Sequence, residues 1–154
     1  MLQESATRVD FYVLESSDVQ SRLHFACKLI EKVYKLGHQL RIRTASKAES
    51  EELDQLLWTA RGGSFIPHEL AGDSNSGLTP IIISHSAAAD DSAANDVLFN
   101  LGTAMPGDYQ QYTRVIELID AADEIRQAGR QRFGAYREAG IKPETHKIGS
   151  SANQ

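Results

Sequence analysis

Apolar positions along this chain change their period several times, and each change marks an element. Residues 9–14 (VDFYVL) form a short run rich in β-branched and aromatic side chains that turns polar at Glu15, Ser16 and Ser17, which predicts a buried first strand. Val19, Leu23, Ala26, Ile30 and Val33 then recur at helical spacing until Gly37, and Ser17 with Gln20 offers a capping box at the start of that helix. Residues 39–44 (QLRIRT) alternate as a strand does. Ser46 with Glu49 makes a second capping box, and Leu53, Leu56 and Leu57 line a second helix ending near Trp58. The first third of the chain therefore reads β-α-β-α.

Gly62, Gly63 and Pro67 break the pattern, so residues 61–77 are expected to be largely loop, with Phe65 and Ile66 as their large apolar content. Residues 80–84 (PIIIS) are a continuous apolar run of the kind found in strands covered on both faces. Residues 86–95 (SAAADDSAAN) receive no assignment. Residues 96–101 (DVLFNL) and 114–119 (RVIELI) read as two further strands, separated by a break at Pro106 and Gly107. Asp120 is placed to cap a last helix running through Ala139, which Gly140 and Pro143 close. Strands alternating with helices predict a three-layer α/β domain with a mostly parallel or mixed sheet. At 154 residues and 41% hydrophobic, the chain fits one domain over 1–154, with its core at about 9–148 and frayed ends at 1–7 and 149–154.

Charge and composition narrow the function more than the fold. A formal net charge of -5 argues against duplex nucleic acid as the main partner, since such domains are usually basic. No apolar run approaches the ~20 residues of a membrane span, and the first residues lack a secretory pattern, so the expected location is the cytoplasm. Cys27 is the only cysteine, which excludes an internal disulfide and any CxxC site. The first strand-to-helix turn, Leu14-Glu15-Ser16-Ser17-Asp18, has no glycine and carries two carboxylates where a phosphate cradle would lie, and neither GxGxxG nor GxxxxGK[ST] occurs. The five histidines are scattered, and Cys27, near an apolar stripe, is expected to be buried. No catalytic residue, metal site or cofactor is expected.

Two features remain. From residue 125 to 137 (IRQAGRQRFGAYR) there are four arginines and no acid; Arg126, Arg130 and Arg137 fall along one side of the last helix, with Phe133 on an overlapping face. Taken alone, the stripe reads first as a solvated face that suits the helix dipole, and second as an anion-recognition site beside an apolar surface. Trp58, at a helix end, is more often core than contact, whereas Phe65 and Ile66 in a punctuated loop suggest a partner.

FYVL at 11–14, LDQLLW at 53–58, SFIPHELAG at 64–72, DVLFNL at 96–101 and GRQRFGAYREAG at 129–140 together resemble, in order, the chi subunit family of DNA polymerase III. The resemblance implies a Rossmann-like α/β/α sandwich without a nucleotide-binding loop, acting as a non-catalytic accessory subunit in replication. It further implies pairing with the psi subunit, which leads to the clamp loader, and binding of the acidic, phenylalanine-terminated tail of single-stranded-DNA-binding protein, with DNA engaged only indirectly. By the same resemblance, Arg126 and Arg130 meet the tail's carboxylates, Phe133 forms its apolar floor and Tyr136 supports the packing. Trp58, Phe65, Ile66 and Pro67 face psi. Gly134 stands where the family usually has a basic residue, and Phe133 where some members have tyrosine. The competing readings are a small α/β enzyme and a direct single-strand binder using Phe133 and Tyr136 as stacking rings.

Overall fold

A computed structural model describes residues 7–59, 67–70, 80–85, 96–107 and 109–148. Among the described residues seven strands form one sheet in the order β3-β4-β2-β5-β6-β1-β7, and every pairing is parallel. The strands are β1 (Arg8–Leu14), β2 (Leu40–Arg43), β3 (His68–Leu70), β4 (Ile81–Ser84), β5 (Val97–Asn100), β6 (Arg114–Ile119) and β7 (Glu144–Ile148). Helices α1 (Val19–Lys35) and α2 (Lys47–Thr59) close one core, in which Leu23, Ile30, Leu53 and Leu57 meet Leu40, Ile42, Phe99 and Leu118. Helix α3 (Asp123–Glu138) closes a second core with Val9, Phe11, Leu98, Val115 and Ile119. The architecture is the expected three-layer sandwich. The sheet is wholly parallel, which resolves the mostly parallel or mixed alternative and explains why β4, β5 and most of β6 are buried throughout.

Several local expectations change. Two strands were not foreseen. β3 lies inside the stretch expected to be loop, and its three residues are too few to display a period. β7 follows Pro143 with the sequence ETHKI, whose single large apolar residue is that of an edge strand. The first helix is capped by Asp18, not Ser17: the Asp18 carboxylate accepts from Gln20 N at 3.3 Å, while the Gln20 amide donates to Glu52 on α2. Ser46 caps α2 as expected, accepting from Glu49 N at 3.1 Å, but Glu49 reaches back to Ala45 N at 2.9 Å. Asp120 does not cap α3. Its carboxylate accepts from Ala122 N and faces Arg22, and the N-cap is Ala122, without a side-chain bond. Gly37 and Gly140 end α1 and α3 at φ of 96° and 92°, the left-handed region where glycine is least strained.

Candidate functional site

Helix α3 crosses back over the sheet to deliver β7 beside β1, and a cavity of about 300 Å³ opens beneath its exposed edge. Its floor is apolar, built by Phe11 and Val13 from β1, Ile119 from β6, and Gly129 and Phe133 from α3. The Phe133 ring leans on Phe11 with centroids 5.2 Å apart. Arg126 and Arg130 stand exposed at the rim, and Thr145 and Lys147 of β7 form the facing wall. Among the described residues no acid lines the cavity. Residues 126, 129, 130 and 133 share one helix face, so the spacing seen in sequence is what gathers them. Arg137 is exposed but lies outside the lining. The floor residues Phe11 and Val13 and the wall residues Thr145 and Lys147 are not evident as site residues in the sequence, where nothing marks 144–148 as a strand.

Arg132 turns the other way. It is buried against β6, where its Nε donates to Glu117 Oε1 at 2.9 Å and its Nη1 to the Thr103 carbonyl at 2.9 Å. Tyr136 is fully buried and donates to Glu117 Oε2 at 2.7 Å, and Asn100 Nδ2 donates to the same carboxylate at 3.1 Å. Burial pushes the Glu117 carboxyl up, opposed by the Arg132 charge and these hydrogen bonds, while burial and the Glu117 charge push the Tyr136 phenol above its usual range. Tyr136 thus underlies the cavity, edge-on to Phe11 at 6.0 Å, and is not part of its surface. An aromatic pair at 133 and 136 cannot stack on bases, because only one of the two rings is reachable.

Two glycines of α3 have opposite surroundings, and only Gly129 bears on how closely the helix approaches the sheet. A Cβ on Gly129 would stand 2.2 Å from Ile119 Cδ1, whereas nothing lies within 4 Å of a Cβ on Gly134. In Gly129→Ala a helix-propensity gain of about 1 kcal/mol is opposed by forcing the end of the Ile119 side chain to repack beside the cavity, so the variant is expected to be neutral or to lose up to about 2 kcal/mol. Gly134→Ala should add about 0.5–1 kcal/mol through helix propensity alone. Urea melts of both variants check this, and equal shifts of either sign would refute the contrast.

A second polar cluster anchors β7. Asp10, fully buried on β1, accepts from Arg114 Nε at 2.9 Å and from His146 Nε2 at 3.0 Å, with Arg8 Nε at 3.1 Å. The His146 ring stacks on Tyr12 with centroids 4.6 Å apart. Asp10, Glu144 and His146 present ligand atoms within 4.8 Å of one another, but the two guanidinium groups already on Asp10 oppose a cation there. Burial raises the Asp10 carboxyl, yet the hydrogen bonds from His146 and Arg114 and the charges of Arg114 and Arg8 outweigh it and hold the group below its ordinary range. A depressed carboxyl contributes stability that is complete above the unfolded value of ~3.9 and is lost as pH falls through the folded value. Stability should therefore decline as pH drops below about 4, and Asp10→Asn should flatten that limb of a denaturation profile. An Asp10→Asn profile parallel to wild type would remove this carboxylate from the account.

Away from the cavity, Trp58 is half exposed at the end of α2, its ring against His68 with centroids 4.7 Å apart. The indole is therefore not core, and Pro67 is partly exposed just before β3. Phe65 and Ile66 lie outside the described residues. Cys27 is buried as expected, and burial pushes its thiol up to about 12, which leaves it inert as a nucleophile at neutral pH. His24 is on the exposed side of α1, bonded through Nδ1 to the Gln20 carbonyl.

A sequence model of the family described as DNA polymerase III chi subunit, HolC, matches residues 6–144. The DNA polymerase III subunit chi of Pseudomonas aeruginosa is 39% identical over 142 residues, covering 92% of this chain and 97% of its own length. Those of Haemophilus influenzae and Escherichia coli K12 are each 27% identical, covering 94% and 88% of this chain and 99% and 94% of their own lengths.

Proposed function

Since the chain belongs to the DNA polymerase III chi subunit family and is therefore an accessory subunit of a replicative polymerase, we propose that it binds the acidic C-terminal tail of single-stranded-DNA-binding protein in the α3 cavity and pairs with psi through another surface. The observation that carries the tail reading is one cavity combining an apolar floor of Phe11, Val13, Ile119 and Phe133 with exposed Arg126 and Arg130 and, among the described residues, no acid. A peptide ending in phenylalanine supplies the matching parts, a ring for the floor and carboxylates for the guanidinium forks. A protein of net charge -5 holds such a short anion better than it holds a phosphate backbone, which needs many cations in a track. The proposed psi surface contains Trp58 and Pro67, with Phe65 and Ile66 alongside them in sequence, and leads through psi to the clamp loader. On this reading the subunit has no catalytic role of its own and works in the cytoplasm as a bridge.

Titration of a labelled tail peptide and, separately, of a single-stranded oligonucleotide against the purified protein tests the tail site. Saturable binding of the peptide with none of the oligonucleotide is expected, and the reverse would favour direct strand binding. For the second surface, Trp58→Ala should reduce co-purification with psi while leaving the urea midpoint and the peptide affinity as in wild type. Full retention of psi by that variant would move the interface elsewhere.

A further inference from the structure

The wall facing the arginines carries the next step. Along β7, Thr145 and Lys147 point to the cavity side, whereas His146 goes to Asp10 and Tyr12 on the opposite face and Ile148 packs toward the α1 core. In register, Thr145 lies beside Phe11 and Lys147 beside Val13, so the lysine rises directly from the apolar floor. The strand beneath it is fixed by the His146–Asp10 contact at 3.0 Å and by the stacking of His146 on Tyr12. Among the described residues no carboxylate pairs with Lys147, Arg126 or Arg130, in a protein where acids outnumber Lys and Arg by 21 to 16. Helix α3 contributes only two cations to the cavity, because Arg132 is committed to Glu117 and Gly134 carries no side chain. The third charge comes from the strand.

We propose that Lys147 is a specificity-determining residue of this site: from the wall opposite Arg126 and Arg130 it pairs with an acidic side chain upstream of the ligand's terminal residue. The inference rests on the tail reading above. The division of labour follows from the groups themselves. Planar guanidinium forks suit a fixed terminal carboxylate held in two places, whereas a compact ammonium on a flexible stem suits a mobile aspartate or glutamate side chain. The cavity then selects an acidic peptide over any chain that merely ends in phenylalanine.

Two peptides separate these roles: the acidic tail sequence, and the same sequence with its acidic side chains replaced by amides but its phenylalanine and free terminal carboxylate kept. Both are titrated against wild type, Lys147→Gln, Lys147→Arg and Lys142→Gln. Lys142 is exposed and outside the cavity, so its loss changes net charge equally without touching the site. Lys147→Gln should weaken the acidic peptide by about three- to tenfold and the amide peptide by less than about twofold, with Lys147→Arg and Lys142→Gln near wild type. Wild-type affinity of Lys147→Gln for the acidic peptide, or equal losses on both peptides, overturns the proposal while leaving the tail site standing. A wild type that binds neither peptide overturns the tail site and this pairing together.

Discussion

Replacing Arg130 with alanine is expected to weaken binding of the tail peptide by roughly 10- to 100-fold, since a charge-assisted hydrogen bond contributes ~1.5–3 kcal/mol. Arg130 stands exposed at the rim, with Arg126 one turn before it and Phe133 one turn after it on the same face. Its loss should scarcely alter folding, because it makes no ion pair among the described residues and an exposed helix arginine adds little to stability. Arg130→Lys should recover only part of the affinity, since lysine keeps the charge but not the planar fork. Raising salt should weaken the wild type through screening, yet leave the contribution of the apolar floor, which has no charge to screen. The measurement is fluorescence anisotropy of a labelled peptide at two salt concentrations, with circular dichroism to confirm folding. Unchanged affinity in a folded Arg130→Ala protein would return the arginines of α3 to the role of a solvated face.

Glu117→Ala should have the largest effect on stability, about 3–5 kcal/mol, which for a chain of this length lowers Tm by roughly 10 °C. The carboxylate is fully buried on β6 and accepts from Arg132, Tyr136 and Asn100 at once. Removing it strands a guanidinium in the interior and leaves the Tyr136 phenol without its acceptor, while the Asn100 amide keeps only the Ala104 carbonyl at 3.3 Å. Tyr136→Phe, which removes one donor and keeps the ring, should cost only about 1 kcal/mol. Glu117→Leu combined with Arg132→Met should recover only the part that comes from the stranded guanidinium, because the Tyr136 hydroxyl still lacks its acceptor. Urea denaturation of the four proteins decides it: a Glu117→Ala variant within about 1 kcal/mol of wild type would mean that water or a rearranged Arg132 satisfies the network. Because Arg132 and Tyr136 tie α3 to β6, the same variant should also lose peptide affinity, through the altered seat of the helix over the cavity.

Much of this architecture is legible in the order of residues. The run at 81–84 announces a strand because both of its faces are covered, and a nearly continuous apolar run needs no partner to be recognised; 114–119 reads the same way apart from Arg114 and Glu117. The helices declare themselves by spacing, and α3 brings residues 126, 130 and 133 to one face because that follows from the turn of the helix alone. The missing phosphate loop is likewise a local property of residues 14–18, and the excess of acid over base is a property of composition alone. What the spacing could not tell is whether Arg132, set off the stripe of Arg126, Arg130 and Arg137, is solvated or buried; it is buried. The choice is made by Glu117, fifteen residues from Arg132 along the chain and within hydrogen-bond reach only after α3 docks on β6. β7 is the same case at greater range. Its polar sequence carries no strand period, and it is held by a histidine 136 positions from its aspartate, so the far wall of the cavity, Lys147 included, exists only once the edge of the sheet is complete. Periodicity records which way a residue faces within its own element, while the worth of a buried charge or an edge strand depends on partners that only the folded chain supplies.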